Sequence, residues 1–184
     1  GNDAATALAY HISKDIPTFC ELMKETAEKC GAYNSNFENP HGLDSSSHYT
    51  TAYDLALITA KALENDIFKE IVTTKYTRIR GSSQGTYRYL KNKNKLLNSL
   101  EGCIGVKTGY TGNAGRCLVS ACERDGFRTV CVVLNCGPMF EESFEYINKA
   151  YSEYKKVTLL PNYKLARKIS VNQGKKQYVK TFSK

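Results

Sequence analysis

Lys107, Thr108 and Gly109 set a cation, a hydroxyl and a residue without a side chain next to one another in the run Gly105-Val106-Lys107-Thr108-Gly109-Tyr110-Thr111-Gly112. Ile104 and Val106 are β-branched and predict a strand, which Gly112 and Gly115 break beyond Tyr110. Neighbouring side chains on a strand point to opposite faces. Lys107 and Gly109 therefore share one face and Thr108 takes the other, unless the strand twists at its end. An ammonium and a hydroxyl held close bind a carboxylate, and the bare backbone at Gly109 lets an extended peptide lie against the strand. The tripeptide alone also describes a solvated lysine ahead of a glycine turn.

The other residues with chemical potential are scattered. His41 lies in Asn39-Pro40-His41-Gly42-Leu43-Asp44, a loop rich in turn formers, where a histidine can simply hydrogen-bond its own turn. His11 and His48 carry no motif. Lys93 falls in Asn92-Lys93-Asn94-Lys95, among neighbouring lysines that solvent alone would explain. Cys20, Cys30, Cys103, Cys117, Cys122, Cys131 and Cys136 include no Cys-x-x-Cys pair, which argues against a zinc site or a thioredoxin-type motif. Most stand among apolar residues and read as buried thiols, and seven of them fit poorly with an oxidising exterior. No metal or cofactor site is expected.

The elements that must position these residues follow from periodicity. Residues 1–9 form an Ala-rich helix with Asn2 and Asp3 placed to cap it. Ile16, Phe19, Cys20, Met23, Ala27 and Cys30 recur at helical spacing, and Gly31 ends that helix. Thr51-Ala52-Tyr53-Asp54 opens a third helix with a capping-box-like pattern, and Ala52, Leu55, Ala56, Thr59, Ala62 and Leu63 form its inner face. Residues 75–90 read as a β-hairpin around Gly81-Ser82-Ser83-Gln84-Gly85. Two strands follow Gly112, at about 116–122 and 128–134, joined by a turn at Glu123-Arg124-Asp125-Gly126. Their near-continuous apolar character predicts a sheet covered on both faces. Phe140, Phe144, Ile147, Tyr151 and Tyr154 step by four and three, which predicts an amphipathic helix over one face. Residues 169–179 look like a small hairpin.

At 184 residues and a net charge of +8, the chain suits one domain of moderate size with an appendage. Seven basic and no acidic residues lie between Pro161 and Lys184, which leaves +1 for residues 1–160. A nearly neutral body gives no reason to expect nucleic-acid binding. No apolar run approaches the roughly 20 residues that span a bilayer.

The run from Gly105 to Thr111, followed by Ala114-Gly115 and Cys117-Leu118-Val119-Ser120-Ala121, closely resembles the D-alanyl-D-alanine carboxypeptidases. These belong to the penicillin-binding and serine β-lactamase superfamily, whose other two elements are a Ser-x-x-Lys nucleophile and a Ser-x-Asn type loop. The resemblance covers about residues 1–155 and is strongest at 1–9, 39–57 and 105–121. It implies an α/β fold, an antiparallel sheet flanked by helices, with the strands and nucleophile helix of an N-terminal part missing. Residues 1–160 would be the C-terminal portion of the catalytic domain, and 161–184 the start of a β-rich domain or a basic tail.

In that family Asn2 matches the asparagine of the Ser-x-Asn element, whose serine would directly precede Gly1. Lys107 and Thr108 would bind the terminal carboxylate of a D-Ala-D-Ala peptide, with Gly109 beneath the peptide backbone and Lys93 as a second basic residue. Asn2 would hold the substrate amide, Tyr110 would lend its backbone N–H to the oxyanion, and His41 would shape the border of the site. The only Ser-x-x-Lys is Ser152-Glu153-Tyr154-Lys155, in the wrong order and surroundings, and Ser170-Val171-Asn172 is likewise a coincidence. The nucleophile is therefore expected upstream of Gly1 and the isolated chain inactive.

The implied parent is an extracytoplasmic, cell-envelope serine hydrolase without cofactor, acting on peptidoglycan stem peptides and acylated by β-lactams. The implied partner of this chain is its missing half or another copy. A related β-lactamase or endopeptidase, and a non-catalytic peptidoglycan-binding fragment, are the competing expectations.

Overall fold

A computed structural model describes residues 1–157 and, as strand backbone only, residues 165–170 and 178–182. Cα packing divides the chain into a unit of Gly1–Glu153 and a second unit of Tyr154–Lys184. In the second unit β6 (Leu165–Ser170) pairs antiparallel with β7 (Tyr178–Phe182). Asn172 of the coincidental Ser-x-Asn lies outside the described residues.

The first unit opens with α1 (Asn2–Ser13). Its N-cap position is Gly1 and no side chain caps it, contrary to the expectation for Asn2 and Asp3. Both lie within the first turn, where Asp3 instead places negative charge at the positive end of the helix. α2 (Ile16–Lys29) starts at Asp15, whose carboxylate accepts from the Thr18 N–H at 2.8 Å. Cys20 and Ala27 of the predicted stripe are buried, and Gly31 ends the helix at φ 84°.

Thr51 caps α3 (Ala52–Ala62) by accepting from the Asp54 N–H at 3.0 Å. The reciprocal half of the capping box is absent. Asp54 is fully buried and takes the Asn34 N–H and the Ser35 hydroxyl, both at 2.7 Å, so it fastens the preceding loop rather than its own helix start. Ala52, expected on the inner face, is exposed at that first turn. α4 (Asp66–Thr73), which the pattern reading passed over, is capped by Asn65 accepting from the Phe68 N–H.

The hairpin of β1 (Tyr76–Arg80) and β2 (Tyr87–Lys91) stands as a separate two-stranded sheet. After the single turn α5 (Leu96–Ser99) come β3 (Cys103–Thr111), β4 (Gly115–Arg124) and β5 (Phe127–Val133), antiparallel in that order. α6 (Met139–Glu153) closes the unit.

The sheet is covered on both faces, as its apolar strands predicted. On one side Leu118 and Cys122 meet Leu96, Leu100 and Ile147, with Phe140 and Tyr151 against them. On the other, Val106 and Ala121 meet Leu63, with Phe68 and Val72 of α4. A polar brace reinforces this second face. Glu123 accepts from Lys69 at 3.2 Å and from Arg128 at 2.9 Å, while Arg128 also donates to the Leu63 carbonyl at 3.3 Å. Arg128 first, and Lys69 with it, hold the Glu123 carboxyl below the usual carboxylate range.

Two expectations for the last helix need correction. Phe144 is 39% exposed and Tyr154 lies beyond the helix end, 66% exposed, so the inner stripe is Phe140, Ile147 and Tyr151. The Tyr151 hydroxyl is 2.9 Å from the carbonyls of both Cys122 and Phe127, which pins the helix to the β4–β5 turn. All seven cysteines are unpaired thiols, but only Cys20 and Cys122 are fully buried; the other five are half-buried. Burial pushes the Cys131 thiol up.

Candidate active site

β3 is hydrogen-bonded to β4 on one side only, so among the described residues its other edge is open. A cavity of about 550 Å³ lies there, within the size range of small-ligand sites. Lys107, Thr108, Gly109 and Tyr110 all line it. Strict alternation would have divided Lys107 and Gly109 from Thr108. A cavity along a strand's free edge receives residues from both faces.

Three further segments complete the wall. The first turn of α1 brings Asn2, the loop after Asn39 brings His41, Gly42 and Leu43, and the span after β2 brings Lys93. The loop and the span are held by side-chain bonds to backbone. Asn39 Oδ1 accepts from Gly42 N at 2.7 Å and His41 N at 3.3 Å, while its Nδ2 donates to the Leu43 carbonyl at 2.9 Å. His41 does bond its own turn: Nδ1 accepts from Leu43 N at 3.3 Å, which in the neutral ring puts the proton on Nε2.

The far end of this loop is latched to β3. Thr111 Oγ1 donates to Asp44 Oδ1 at 2.6 Å and accepts from Ala114 N at 3.0 Å. Lys93 is set by its flanking asparagines. Asn92 Nδ2 donates to the carbonyls of Val72 and Thr74, and Asn92 Oδ1 accepts from Asn94 N at 3.0 Å. Buried Asn94 in turn accepts from Leu96 N at 3.1 Å.

Lys93, Lys107 and Arg116 put three cations on the lining, and no carboxylate faces them there. The Lys107 ammonium donates to the Thr108 carbonyl, and Arg116 makes a 3.5 Å contact with the Gly137 carbonyl. Met139 and Phe140, at the start of α6, supply an apolar wall, and Lys95 sits 5.3 Å over the Phe140 ring. Such a cavity suits a ligand with an anionic end and an apolar body: its cations can turn from weak neutral acceptors to charge-assisted bonds.

The structure thus brings Asn2, His41, Lys93, Lys107, Thr108, Gly109 and Tyr110 together, in a lining that spans the chain from Asn2 to Arg116 and on to Phe140. It does not bring Ser152 there. That hydroxyl donates to the Lys149 carbonyl at 2.8 Å, and Lys155 lies past the helix end. Sequence reading missed Arg116, the Asp44–Thr111 latch and the Met139–Phe140 wall. Arg116 was within reach: a turn through Gly112 to Ala114 places it opposite Tyr110 in the β3–β4 register. Among the described residues no cluster of His, Cys, Asp or Glu could hold a metal ion.

A profile of the D-alanyl-D-alanine carboxypeptidase family matches residues 1–137. The chain is 30% identical over 182 residues to D-alanyl-D-alanine carboxypeptidase DacF of Bacillus subtilis, covering 97% of this chain and 46% of that protein. It is 38% identical over 138 residues to DacA of Haemophilus influenzae, covering 73% and 33%. Among solved structures, penicillin binding protein 5 from Haemophilus influenzae superposes with a TM-score of 0.85 at 30% identity, over 98% of this chain and 52% of that one. The Streptomyces K15 DD-transpeptidase gives 0.74 at 30% identity, over 82% and 62%. The chain spans about half or less of the length of the curated relatives it matches. With its profile match, its relatives and its fold in agreement, the chain belongs to the D-alanyl-D-alanine carboxypeptidase family.

Proposed function

We propose that this chain is the C-terminal portion of the catalytic domain of a serine-type D-Ala-D-Ala carboxypeptidase. The whole protein removes the terminal D-alanine of peptidoglycan stem peptides through a serine acyl-enzyme, outside the cytoplasm, and is acylated by β-lactams. One observation carries the reading: separated segments converge on one cavity whose lining is cationic and free of carboxylates. A peptide ending in a free carboxylate matches that polarity.

The roles follow from chemistry. Lys107 and Thr108 receive the terminal carboxylate, with Lys93 and Arg116 reinforcing the field. Gly109 leaves room for the peptide backbone along the open strand edge, and Asn2 holds the substrate amide. The Tyr110 N–H is one donor to the developing oxyanion, where loss of a single donor in hydrolases costs about 2.7–4 kcal/mol. His41 and its loop border the cavity.

The lining residues include no serine activated by a lysine one turn away, and Ser152 is engaged elsewhere. In this reading the acyl-accepting serine is supplied by the whole protein from upstream of Gly1. The test is D-alanine release from a short soluble peptide ending in D-Ala-D-Ala, together with intact-protein mass after benzylpenicillin. The full-length protein releases D-alanine and gains one adduct, and the 184-residue chain alone gains none. An adduct on Ser152 of the isolated chain overturns the assignment.

A further inference from the structure

The β1–β2 hairpin contributes to neither hydrophobic cluster, and every one of its ten strand residues is exposed. Its register is Tyr76↔Lys91, Arg78↔Tyr89 and Arg80↔Tyr87 on one face, with Thr77↔Leu90 and Ile79↔Arg88 on the other. Every rung of the first face therefore pairs one tyrosine with one cation. Arg78 lies 4.7 Å over the Tyr87 ring, and Lys91 5.7 Å over the Tyr76 ring. These contacts hold rings and cations against one another on the outer surface, and Tyr89 remains 78% exposed.

The charge of the unit is segregated to match. Between Ile71 and Leu100 there are seven basic residues and no carboxylate, whereas the rest of residues 1–153 holds ten basic and eighteen acidic side chains.

We propose that this face is a docking surface for the peptide-bearing glycan strand of the cell wall, a polymer whose stem peptides carry its negative charge. The identity of the polymer rests on the carboxypeptidase reading. The C–H faces of sugar rings pack on exposed tyrosines, phenolic hydroxyls bond sugar hydroxyls, and the three cations neutralise carboxylates of the stem peptides that branch from the strand. Lys91, the last residue of β2, precedes the cavity-lining Lys93 by two positions, so the basic face leads to the cavity. The hairpin turn, Gly81-Ser82-Ser83-Gln84-Gly85, holds no apolar side chain to insert into a bilayer.

The experiment is retention of the full-length protein on purified peptidoglycan sacculi across a salt series, with D-alanine release from a short soluble peptide measured on the same preparations. Tyr87→Ala/Tyr89→Ala and Arg78→Gln/Arg80→Gln each weaken retention at least about tenfold, in line with aromatic and arginine anchors at interfaces. Raised salt weakens the wild type, and Arg88→Gln on the opposite face changes retention less than about threefold, which also controls for folding. Undiminished retention of both double variants overturns the proposal. So does tighter capture by phosphatidylglycerol vesicles or by a single-stranded oligonucleotide, and so does retention lost through Lys107→Ala alone. Hairpin-dependent retention without any D-alanine release supports the docking surface and overturns the carboxypeptidase reading.

Discussion

Lys107 has no ion-pair partner among the described residues, and its ammonium donates to the neighbouring Thr108 carbonyl. A charge so weakly engaged is available to an incoming carboxylate. Hydrogen bonds to charged groups contribute about 1.5–3 kcal/mol, so Lys107→Ala in the full-length protein lowers the penicillin acylation rate constant roughly tenfold or more. Stopped-flow acylation checks this, and an unchanged rate removes Lys107 from the site. Arg116→Ala gives a smaller loss of the same sign, because Arg116 stands on β4 and its guanidinium already contacts the Gly137 carbonyl. Two residues before Lys107, Gly105 has φ 144°, and a Cβ built there falls 2.9 Å from Val72 Cγ2. Gly105→Ala therefore pushes α4 off β3 and costs about 1–3 kcal/mol of overpacking, measured by denaturant unfolding. A stability equal to wild type contradicts the close approach.

At the scale of elements, the site depends on how loops are tied down. His48 Nδ1 accepts from the Glu38 N–H at 2.9 Å, and Glu38 Oε2 accepts from Ser47 N at 2.9 Å, which closes the loop that leads to His41. Burial pushes the His48 imidazole below its usual range, outweighing the opposite pull of Glu38. A neutral acceptor favoured by the fold contributes stability that is full above the unfolded histidine pKa of about 6.5 and is lost as pH falls through the depressed folded value. The protection of the Glu38 amide against deuterium exchange, taken relative to the intrinsic rate at each pH, should therefore fall under mildly acidic conditions, while that of buried β4 amides does not. His48→Gln, which keeps an acceptor, should flatten that dependence. Thr111→Val should loosen the same loop from its other end, with faster exchange at Gly42 and Leu43 at any pH.

These ties mark the limit of what the chain revealed by itself. The stripe of α2, the β1–β2 hairpin and the apolar β4 and β5 were legible because each depends on local spacing. The cap of α1, the role of Asp54 and the whole of α4 were not. Asp54 fitted a local capping pattern at Thr51, but its buried carboxylate is claimed by Asn34 and Ser35, some twenty residues earlier. Lys107, Thr108 and Tyr110, which line the cavity, stand in a motif legible in the sequence, whereas Arg116 enters the lining only through strand register. Averaging charge over residues 1–160 concealed the cations gathered between Ile71 and Leu100.

For the whole molecule, the open edge of β3 matters most. Unpaired strand edges and exposed apolar side chains invite association. Leu8 and Ile12 on α1 are each 62% exposed, and Ile67 and Ile71 on α4 are 69% and 65% exposed. Expressed alone, the 184-residue chain is expected to self-associate or to capture a complementary segment of its own protein. A concentration-independent, cooperatively unfolding monomer in sedimentation and thermal melts contradicts this. The hairpin has a different consequence. With seven cations and no carboxylate in the span from Ile71 to Leu100 that carries the hairpin arm, and a surplus of carboxylates elsewhere, the first unit is an electric dipole. In the field of a negatively charged wall it turns before it touches, arm first, so fewer encounters are wasted on the wrong orientation and their rate falls steeply as salt shortens the reach of that torque.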